Sequence, residues 1–492
     1  MEVLQRTANR GSISTGPYEI DNSVKMEPDN SEKLTRSQTT GTNRKKFTVS
    51  FWVKRTELGA MMVLAIAEAS GNDISFLNFE SDNALRFRDT ASGSNQCILE
   101  TNRLFLDTSA WYHIVLRVDT TDSTANDRAR IYVNGVQETS FSARTNFDQN
   151  DDTFWGYNGG ALTWGNALNE ANYFGGYVAD AYYIDGQSLA PTSFGEFDED
   201  SGIWIPKNAS GLSVGNNGYY LDFKDAANLG NDASGGTDFT ATNITAADQA
   251  TDTPTNNFCT LMPPQVSIRG TKTNVTEGGT QMTGGDTTVQ NAFGSMGVSK
   301  GKWYFESNVS NLAGAPSYIF YFGIIAADKI TTLTDNSIDQ NFIGARVNTW
   351  GFTSNNRGIT NNVAAAGFPF ETATSGTTEV MGIALDMDNG KIWVHKAGTY
   401  ATNDSSVTGN PATGAAPQYD NLLTSTSEHI LVGGGVYTQT TAAQRNMNFG
   451  NPMSTNFTSV GTYSDGNGYG SFAYAPPTGY YALCTKNLAE YG

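Results

Sequence analysis

Two segments of the sequence combine aromatic side chains with glycine, asparagine and other polar residues, a combination that suits sugar binding. In the first segment, the relevant residues are Trp155, Tyr157, Asn158 and Trp164. In the second, they are Trp350, Asn355, Asn356 and Arg357. Aromatic faces stack on pyranose rings, and a few placed polar groups bind the hydroxyls. We therefore predict that these residues bind a ligand. The alternative is that the aromatic rings belong to a core or a subunit interface.

The residues that would carry nucleophilic or transition-metal chemistry are not grouped in the sequence. Three histidines, His113, His395 and His429, lie inside strand-like segments, and none has a serine or cysteine nearby in a tight glycine-rich turn. No HExxH or CxxC spacing occurs, so a transition-metal site is not indicated. We expect a protein that is not an enzyme.

Charge and cysteine content exclude several classes of protein. The net charge is −19, and residues 61–265 alone hold 9 Lys/Arg against 27 Asp/Glu. Such an acidic chain repels phosphate backbones, so nucleic-acid binding is not expected. The longest apolar runs are too short to span a membrane, and the first residues lack the apolar stretch of a secretory signal.

Cys97, Cys259 and Cys484 sit beside apolar residues. We expect them to be buried free thiols in a protein made in the cytoplasm.

The elements that must position these residues are short strands. Apolar and polar residues alternate in residues 47–55, and Asn134-Gly135 follows the strand-like residues 129–133 as a hairpin turn. A second hairpin is predicted between residues 380–386 and 391–395, with Asp388-Asn389-Gly390 as the turn. The predicted fold is all-β, with two antiparallel β-sandwich (jelly-roll) domains joined by a long irregular connector.

Changes in composition suggest where the domains begin and end. We predict an N-terminal arm over residues 1–20, a first sandwich over 21–190, a connector over 191–265, a second sandwich over 266–475 and a C-terminal tail over 476–492. The connector contains prolines among Asn, Gly, Thr and Asp, with one strand at residues 219–223. A segment of that length must lie over its neighbours or form its own small unit.

The order of several motifs resembles that of bacteriophage tail proteins, especially those of marine phages. FTVSFWVKR (47–55), WYHIVLRVD (111–119) and RIYVNG (130–135) resemble a LamG/concanavalin-like jelly roll. GKWYFESNV (301–309) and GIALDMDNGKIWVHKAGTY (382–400) resemble a SPRY-like β-sandwich, and PPTGYYALCTKNL (476–488) resembles the end of such phage proteins. The resemblance covers nearly the whole chain.

This resemblance implies a structural protein of the virion, exposed on the tail as a tail fibre or tail-tip protein, that recognises a bacterial surface glycan or protein through inter-strand loops. Its partners would be other tail proteins, bound through the N-terminal arm, and a bacterial receptor. A homo-oligomer is expected, with a trimer favoured. One alternative is a capsid decoration or head fibre protein.

The jelly-roll resemblance also raises the questions of calcium and of glycoside hydrolysis. LamG-like domains often bind calcium through loop carboxylates, and Asp148, Asp151 and Asp152 are the candidate ligands, with a solvated turn as the alternative. A polysaccharide depolymerase, the second alternative function, would need a close carboxylate pair. Glu196, Asp198 and Asp200 have the spacing of neighbours on one strand face, but prolines flank their segment, and a solvated loop is the preferred interpretation.

Overall fold

A computed structural model describes most of the chain. The described residues are 18–68, 73–166, 172–262, 274–283, 290–310, 319–334, 343–353, 357–360, 363–365, 380–401, 408–422, 429–437, 444–451 and 461–492. They form two compact units, which divide after Asn257. Both are built of antiparallel sheets, which confirms the predicted all-β fold. Within the described residues, no helix has both the length and the apolar character needed to cross a bilayer.

The first unit contains two large sheets and a short hairpin. Its strands are β1 (Ser23–Met26), β2 (Lys33–Ser37), β3 (Lys46–Arg55), β4 (Met61–Ala67), β5 (Ile74–Phe79), β6 (Ala84–Ala91), β7 (Ser94–Leu104), β8 (Trp111–Asp119), β9 (Ala129–Val133), β10 (Val136–Gln137), β11 (Phe141–Thr145), β12 (Ala161–Trp164), β13 (Gly176–Asp185), β14 (Gly195–Phe197), β15 (Trp204–Pro206), β16 (Tyr219–Leu221), β17 (Thr240–Thr242) and β18 (Gln249–Ala250). One sheet has the order β10-β9-β8-β3-β13-β1-β18, with β16 also paired to β13, and the other has the order β11-β7-β6-β5-β4-β12-β2-β17.

The residue pattern of strand β3 shows why the first unit forms a sandwich. Its alternate residues Phe47, Val49, Phe51 and Val53 join the core between the two sheets, as the alternation predicts. The opposite face of the strand is buried as well, and even Lys54 is 0% exposed there. The sheet therefore has a covering layer on its outer side.

This covering layer comes from the segment predicted to be a connector. Its residues 191–257 lie in the first unit. Trp204 and Ala250 pack with Trp52 and Trp111 on the outer face of the sheet, and Phe194 and Tyr220 pack with Tyr182. The segment is irregular because it follows the sheet surface with only short strands. The structure thus ends the first unit near residue 257, not 190.

The second unit also contains two large sheets. Its strands are β19 (Leu261–Met262), β20 (Asn274–Thr276), β21 (Gln281–Thr283), β22 (Gln290–Val298), β23 (Lys302–Ser310), β24 (Ile319–Ala326), β25 (Thr349–Thr353), β26 (Arg357–Thr360), β27 (Val363–Ala365), β28 (Met381–Asp386), β29 (Lys391–Lys396), β30 (Thr399–Ala401), β31 (Ile430–Tyr437), β32 (Gln444–Asn448) and β33 (Tyr481–Ala482). One sheet has the order β19-β22-β31-β24-β25-β26-β27 and the other β20-β21-β32-β23-β28-β29-β30, with β33 paired to β23.

The C-terminal residues complete this second unit. Strand β33 pairs in parallel with β23, and the short helix α1 (Thr485–Tyr491) follows it. Tyr480 and Ala482 are buried with Tyr304 and Trp393. The segment predicted to be a tail is therefore part of the second sandwich, since its apolar side chains have their partners on β23 and β29.

Short 3₁₀ helices connect some of these strands, at Pro28–Asn30, Ala125–Asp127, Pro191–Ser193, Ala246–Asp248, Ala327–Thr334 and Pro411–Thr413. The three cysteines, Cys97, Cys259 and Cys484, are buried and form no disulfide, as predicted.

Candidate functional site

The two tryptophans of the first predicted segment lie in the core of the first unit. Trp155 stacks on Phe47 with a centroid distance of 4.7 Å, and its Nε1 donates to Ser75 Oγ at 2.8 Å. Trp164 is 0% exposed, and its Nε1 donates to the hydroxyl of Tyr219 at 3.0 Å. Neither indole face is open to a sugar, so the prediction that these two residues bind a ligand is corrected to a role in the core.

The second predicted segment gives a similar result. Trp350 lies in β25 and is 1% exposed in the core of the second unit. Asn355 and Asn356 lie outside the described residues. Arg357 begins β26 and pairs through its backbone with Thr353. The indole ring of Trp350, which was predicted to stack on a sugar, is therefore buried in the core.

Tyr157 and Asn158 are exposed, in the loop that precedes β12. Tyr157 is 37% exposed as a whole residue, and one face of its ring stacks on Phe154 with centroids 4.9 Å apart. The guanidinium of Arg44 lies 5.3 Å from the ring centroid. Arg44 Nε also donates to the carbonyl of Thr153 at 2.9 Å, which holds this loop in place. Tyr157 thus combines a rigid position with a partly open ring.

Hydrogen bonds join this loop to its neighbours at one end of the sandwich. The Gly41 N–H donates to the Gly156 carbonyl at 2.9 Å, and a Cβ on Gly41 would lie only 2.8 Å from Gly156 Cα. The Thr39 N–H donates to Asn217 Oδ1 at 2.8 Å. Three segments distant in sequence therefore meet here, around residues 38–42, 156–160 and 214–218.

An open polar cleft of about 230 Å³ lies at this loop end. It is lined by Arg36, Ser37, Thr39, Val214, Gly215, Asn216, Asn217, Gly218, Ser234, Gly235, Gly236 and Thr237. Several of the lining side chains are exposed and carry hydroxyl or amide groups. A Cβ on Gly215, Gly218 or Gly236 would clash with a neighbouring oxygen, so the loops pack closely at these positions. The sequence does not predict this site, because no single segment holds it. The only local sign is the clustering of Gly, Asn and Ser in residues 211–217 and 231–237.

A buried ion pair forms the wall of the cleft. Arg36 Nη1 donates to Asp232 Oδ2 at 3.1 Å and to the Thr237 carbonyl at 3.0 Å. Its Nη2 donates to the carbonyls of Asn217 and Gly218. The guanidinium also lies over the Tyr219 ring at 4.9 Å. Arg36 thus connects β2 to the loops that line the cleft.

The three candidate calcium ligands do not form a metal centre. The backbone N–H of Asp148 donates to Asp151 Oδ2 at 2.8 Å, as in a capped turn, and Asp152 is exposed. Among the described residues, which include all three, no group of three or more His, Cys, Asp or Glu side chains is placed to hold a metal ion. The alternative interpretation as a turn describes this geometry better.

His113 makes a contact with a serine, but its geometry differs from that of a hydrolase. Trp204 Nε1 donates to His113 Nδ1 at 2.9 Å, so Nε2 carries the proton and donates it to Ser50 Oγ, 2.9 Å away. A general base would instead accept the serine proton at Nε2. Burial lowers the pKa of His113 to about 3. This histidine is a neutral core residue.

The residues proposed for a depolymerase are also placed as surface residues. Glu196 pairs with Lys207 at 3.7 Å, and both side chains are largely exposed. Asp198 Oδ1 accepts from the backbone and the hydroxyl of Ser201, and these hydrogen bonds lower its pKa. Both carboxylates are engaged in surface interactions of a turn.

One protein-family model matches part of the first unit. Residues 28–187 match the model of a laminin G family described as the Concanavalin A-like lectin/glucanases superfamily. A search of curated proteins found no match.

The solved structures that match this chain have low sequence identity to it. A heptameric SAP-like pentraxin from Limulus polyphemus is 16% identical, with 35% of this chain and 80% of that chain covered and a TM-score of 0.27. Domains LG4-5 of the mouse laminin alpha1 chain are 11% identical, with 85% and 84% covered and a TM-score of 0.28. The SPRY domain of human HERC1 is 14% identical, with 36% and 91% covered and a TM-score of 0.24. By its family match, the sandwich of residues 28–187 has a laminin G/concanavalin A-like lectin fold.

Proposed function

We propose that this protein is a glycan-binding protein without enzymatic activity, and that the loop end of the first sandwich is its binding site. The observation that carries the proposal is the open polar cleft, on a sandwich with a lectin-type fold, at the loop end that also holds the exposed Tyr157. A sugar site needs an aromatic surface and convergent hydroxyl and amide groups. The cleft supplies the polar groups, and Tyr157 and Asn158 supply the aromatic edge and a further amide.

The rigidity of this loop end favours binding. Asn217 is buried. Its side-chain Oδ1 accepts a hydrogen bond from the Thr39 N–H, and its Nδ2 donates one to the Thr39 carbonyl. Because the loops are already held by hydrogen bonds, little conformational freedom is lost when a ligand binds. The exposed Asn216 and Ser234 on the rim then present their polar groups in a defined arrangement.

We further propose that the glycan belongs to a bacterial surface and that the protein acts in the tail adhesion apparatus of a phage virion. The support for this step is the order of the sequence motifs, from the jelly roll to the C-terminal ALCTKNL segment. The predicted homo-oligomer and the attachment to other tail proteins belong to the same proposal.

The test is binding of the full-length protein to an array of bacterial surface oligosaccharides and to host cells. We expect Tyr157→Ala and Asn216→Ala each to weaken binding about fivefold or more, because each removes a contact worth about 1 kcal/mol. Tyr463→Ala is the matched control, since Tyr463 is an exposed tyrosine of the second unit, 47% accessible. The proposal fails if the wild type binds no glycan, or if all three variants bind as the wild type does.

A further inference from the structure

We infer that the cleft selects neutral sugars and rejects sugars that carry a carboxylate or phosphate group. This inference rests on the proposed function and names the class of glycan that the site takes. It follows from the charged groups around the cleft, because the one lining cation is already paired with a carboxylate and the other nearby groups are acidic.

The cation that lines the cleft is not available to an anionic ligand. Arg36 is 7% exposed, and its two terminal nitrogens make four hydrogen bonds, to Asp232 and to the carbonyls of Asn217, Gly218 and Thr237. An acidic sugar could bind the guanidinium only by displacing these partners. That displacement would leave Asp232 as a buried, unpaired carboxylate, which is strongly unfavourable.

Further carboxylates make the surroundings negative. Asp185 is 1% exposed, and its Oδ2 accepts the backbone N–H groups of Thr42 and Asn217. Among the described residues, its Oδ1 has no hydrogen-bond partner. Asp238 directly follows the lining residue Thr237 and accepts the Asp232 N–H at 2.9 Å. Arg36, the one cation among the lining residues, is paired to Asp232, and Arg44, which lies over Tyr157 and outside the cleft, donates to the Thr153 carbonyl. Asp185 and Asp238, beside the lining loops, therefore repel an anion in the cleft.

The groups left for a ligand are neutral. The exposed rim residues are Ser37, Thr39, Asn216, Ser234 and Thr237. The hydroxyls of Thr39 and Ser234 already donate to Asn217 Oδ1 and Asp232 Oδ1, so their oxygens accept hydrogen bonds from sugar hydroxyls, and the Asn216 amide can also donate. The rim therefore matches an uncharged hexose, whereas a carboxylate would face acceptor oxygens with no second cation among the lining residues.

Matched pairs of oligosaccharides that differ only at C6 test this selectivity. The full-length protein is titrated with gluco-, galacto- and manno-oligosaccharides and with the corresponding glucurono-, galacturono- and mannurono-oligosaccharides, at low and at high salt. For the stereochemistry that binds, we expect the hexose to bind about tenfold or more tightly than its hexuronate. Added salt should reduce this ratio, because it screens the repulsion of the hexuronate.

A charge variant locates the effect in the cleft. Ser37→Lys adds a cation at the rim and should lower the hexose-to-hexuronate ratio by about threefold or more. Ser94→Lys makes the same change in net charge at an exposed position that does not line the cleft, and it should leave the ratio unchanged.

Each other outcome has a distinct meaning. A hexuronate that binds as tightly as its hexose overturns the inference but leaves the proposed glycan-binding function standing. Equal shifts in the two lysine variants overturn the assignment of the selectivity to this cleft. Absence of binding by every member of every pair overturns the proposed function together with the inference.

Discussion

The buried ion pair between Lys54 and Asp252 provides a sharp test of the covering layer in the first unit. Lys54 Nζ lies 2.8 Å from Asp252 Oδ2, and both side chains are 0% exposed. Asp252 Oδ1 also accepts the Trp111 indole N–H at 2.9 Å, and Lys54 donates to Asn257 Oδ1 at 2.7 Å. These contacts hold the end of the predicted connector against strands β3 and β8.

We expect Asp252→Ala to lower the free energy of unfolding of the first unit by about 3–5 kcal/mol, because it leaves the Lys54 ammonium buried without its carboxylate. Lys54→Met should cost a similar amount for the same reason, with the carboxylate now unpaired. The double variant Lys54→Met/Asp252→Asn removes both charges but keeps an acceptor for Trp111. It should therefore cost less than either single change, about 1–3 kcal/mol for the hydrogen bonds that remain unmade.

The assay is urea unfolding of the full-length protein, followed by hydrogen exchange in peptides of the first unit, so that the second unit does not contribute to the signal. The control is Lys224→Met. Its ion pair with Asp21 is similar in length, at 3.2 Å, but its side chains are 54% and 58% exposed. Such a pair contributes less than about 1 kcal/mol. Equal effects of Asp252→Ala and Lys224→Met, or simple additivity in the double variant, would refute the structural argument.

Two further predictions concern buried groups. Trp155→Ala and Trp350→Ala should each lower the free energy of unfolding by about 3–5 kcal/mol, as large core truncations do. Urea titration measures this change, and we expect any loss of glycan binding to occur only in variants that are destabilised. A tryptophan variant with wild-type stability and no glycan binding would instead identify its indole as a ligand contact. Burial raises the pKa of Asp180 to about 7, so its stabilising contribution is fully present below the unfolded pKa, near 4, and is lost as the pH rises through about 7. Asp180→Asn should therefore lose less stability than the wild type between about pH 4 and pH 7, and superimposable stability profiles of the two proteins would contradict this.

The sequence could predict the class of fold because strand patterns and turns are local. The hairpin predicted at residues 380–395 is present as β28 and β29, with Asp386 paired to Lys391. The inward face of β3 was predicted from its alternation alone. In both cases neighbouring residues determine the conformation, since side chains alternate along a strand and Asn-Gly or Asp-Asn-Gly sequences favour tight turns.

The candidate site could not be predicted in the same way. Trp155 and Tyr157 lie on either side of Gly156, and the sequence does not distinguish the buried ring from the exposed one. Their difference depends on partners elsewhere in the chain, since Phe47 stacks on Trp155 and Arg44 lies over Tyr157.

The sequence by itself thus determined that this protein is built of antiparallel strands, with an acidic surface and buried thiols. Only the tertiary structure decided that residues 191–257 cover the outer face of a sheet, and that Arg36, Asn216 and Ser234 meet in one cleft. The physical reason is the range of the interactions. Strand alternation and turns act over a few residues, whereas burial of a second sheet face and the pairing of Arg36 with Asp232 join residues almost 200 positions apart.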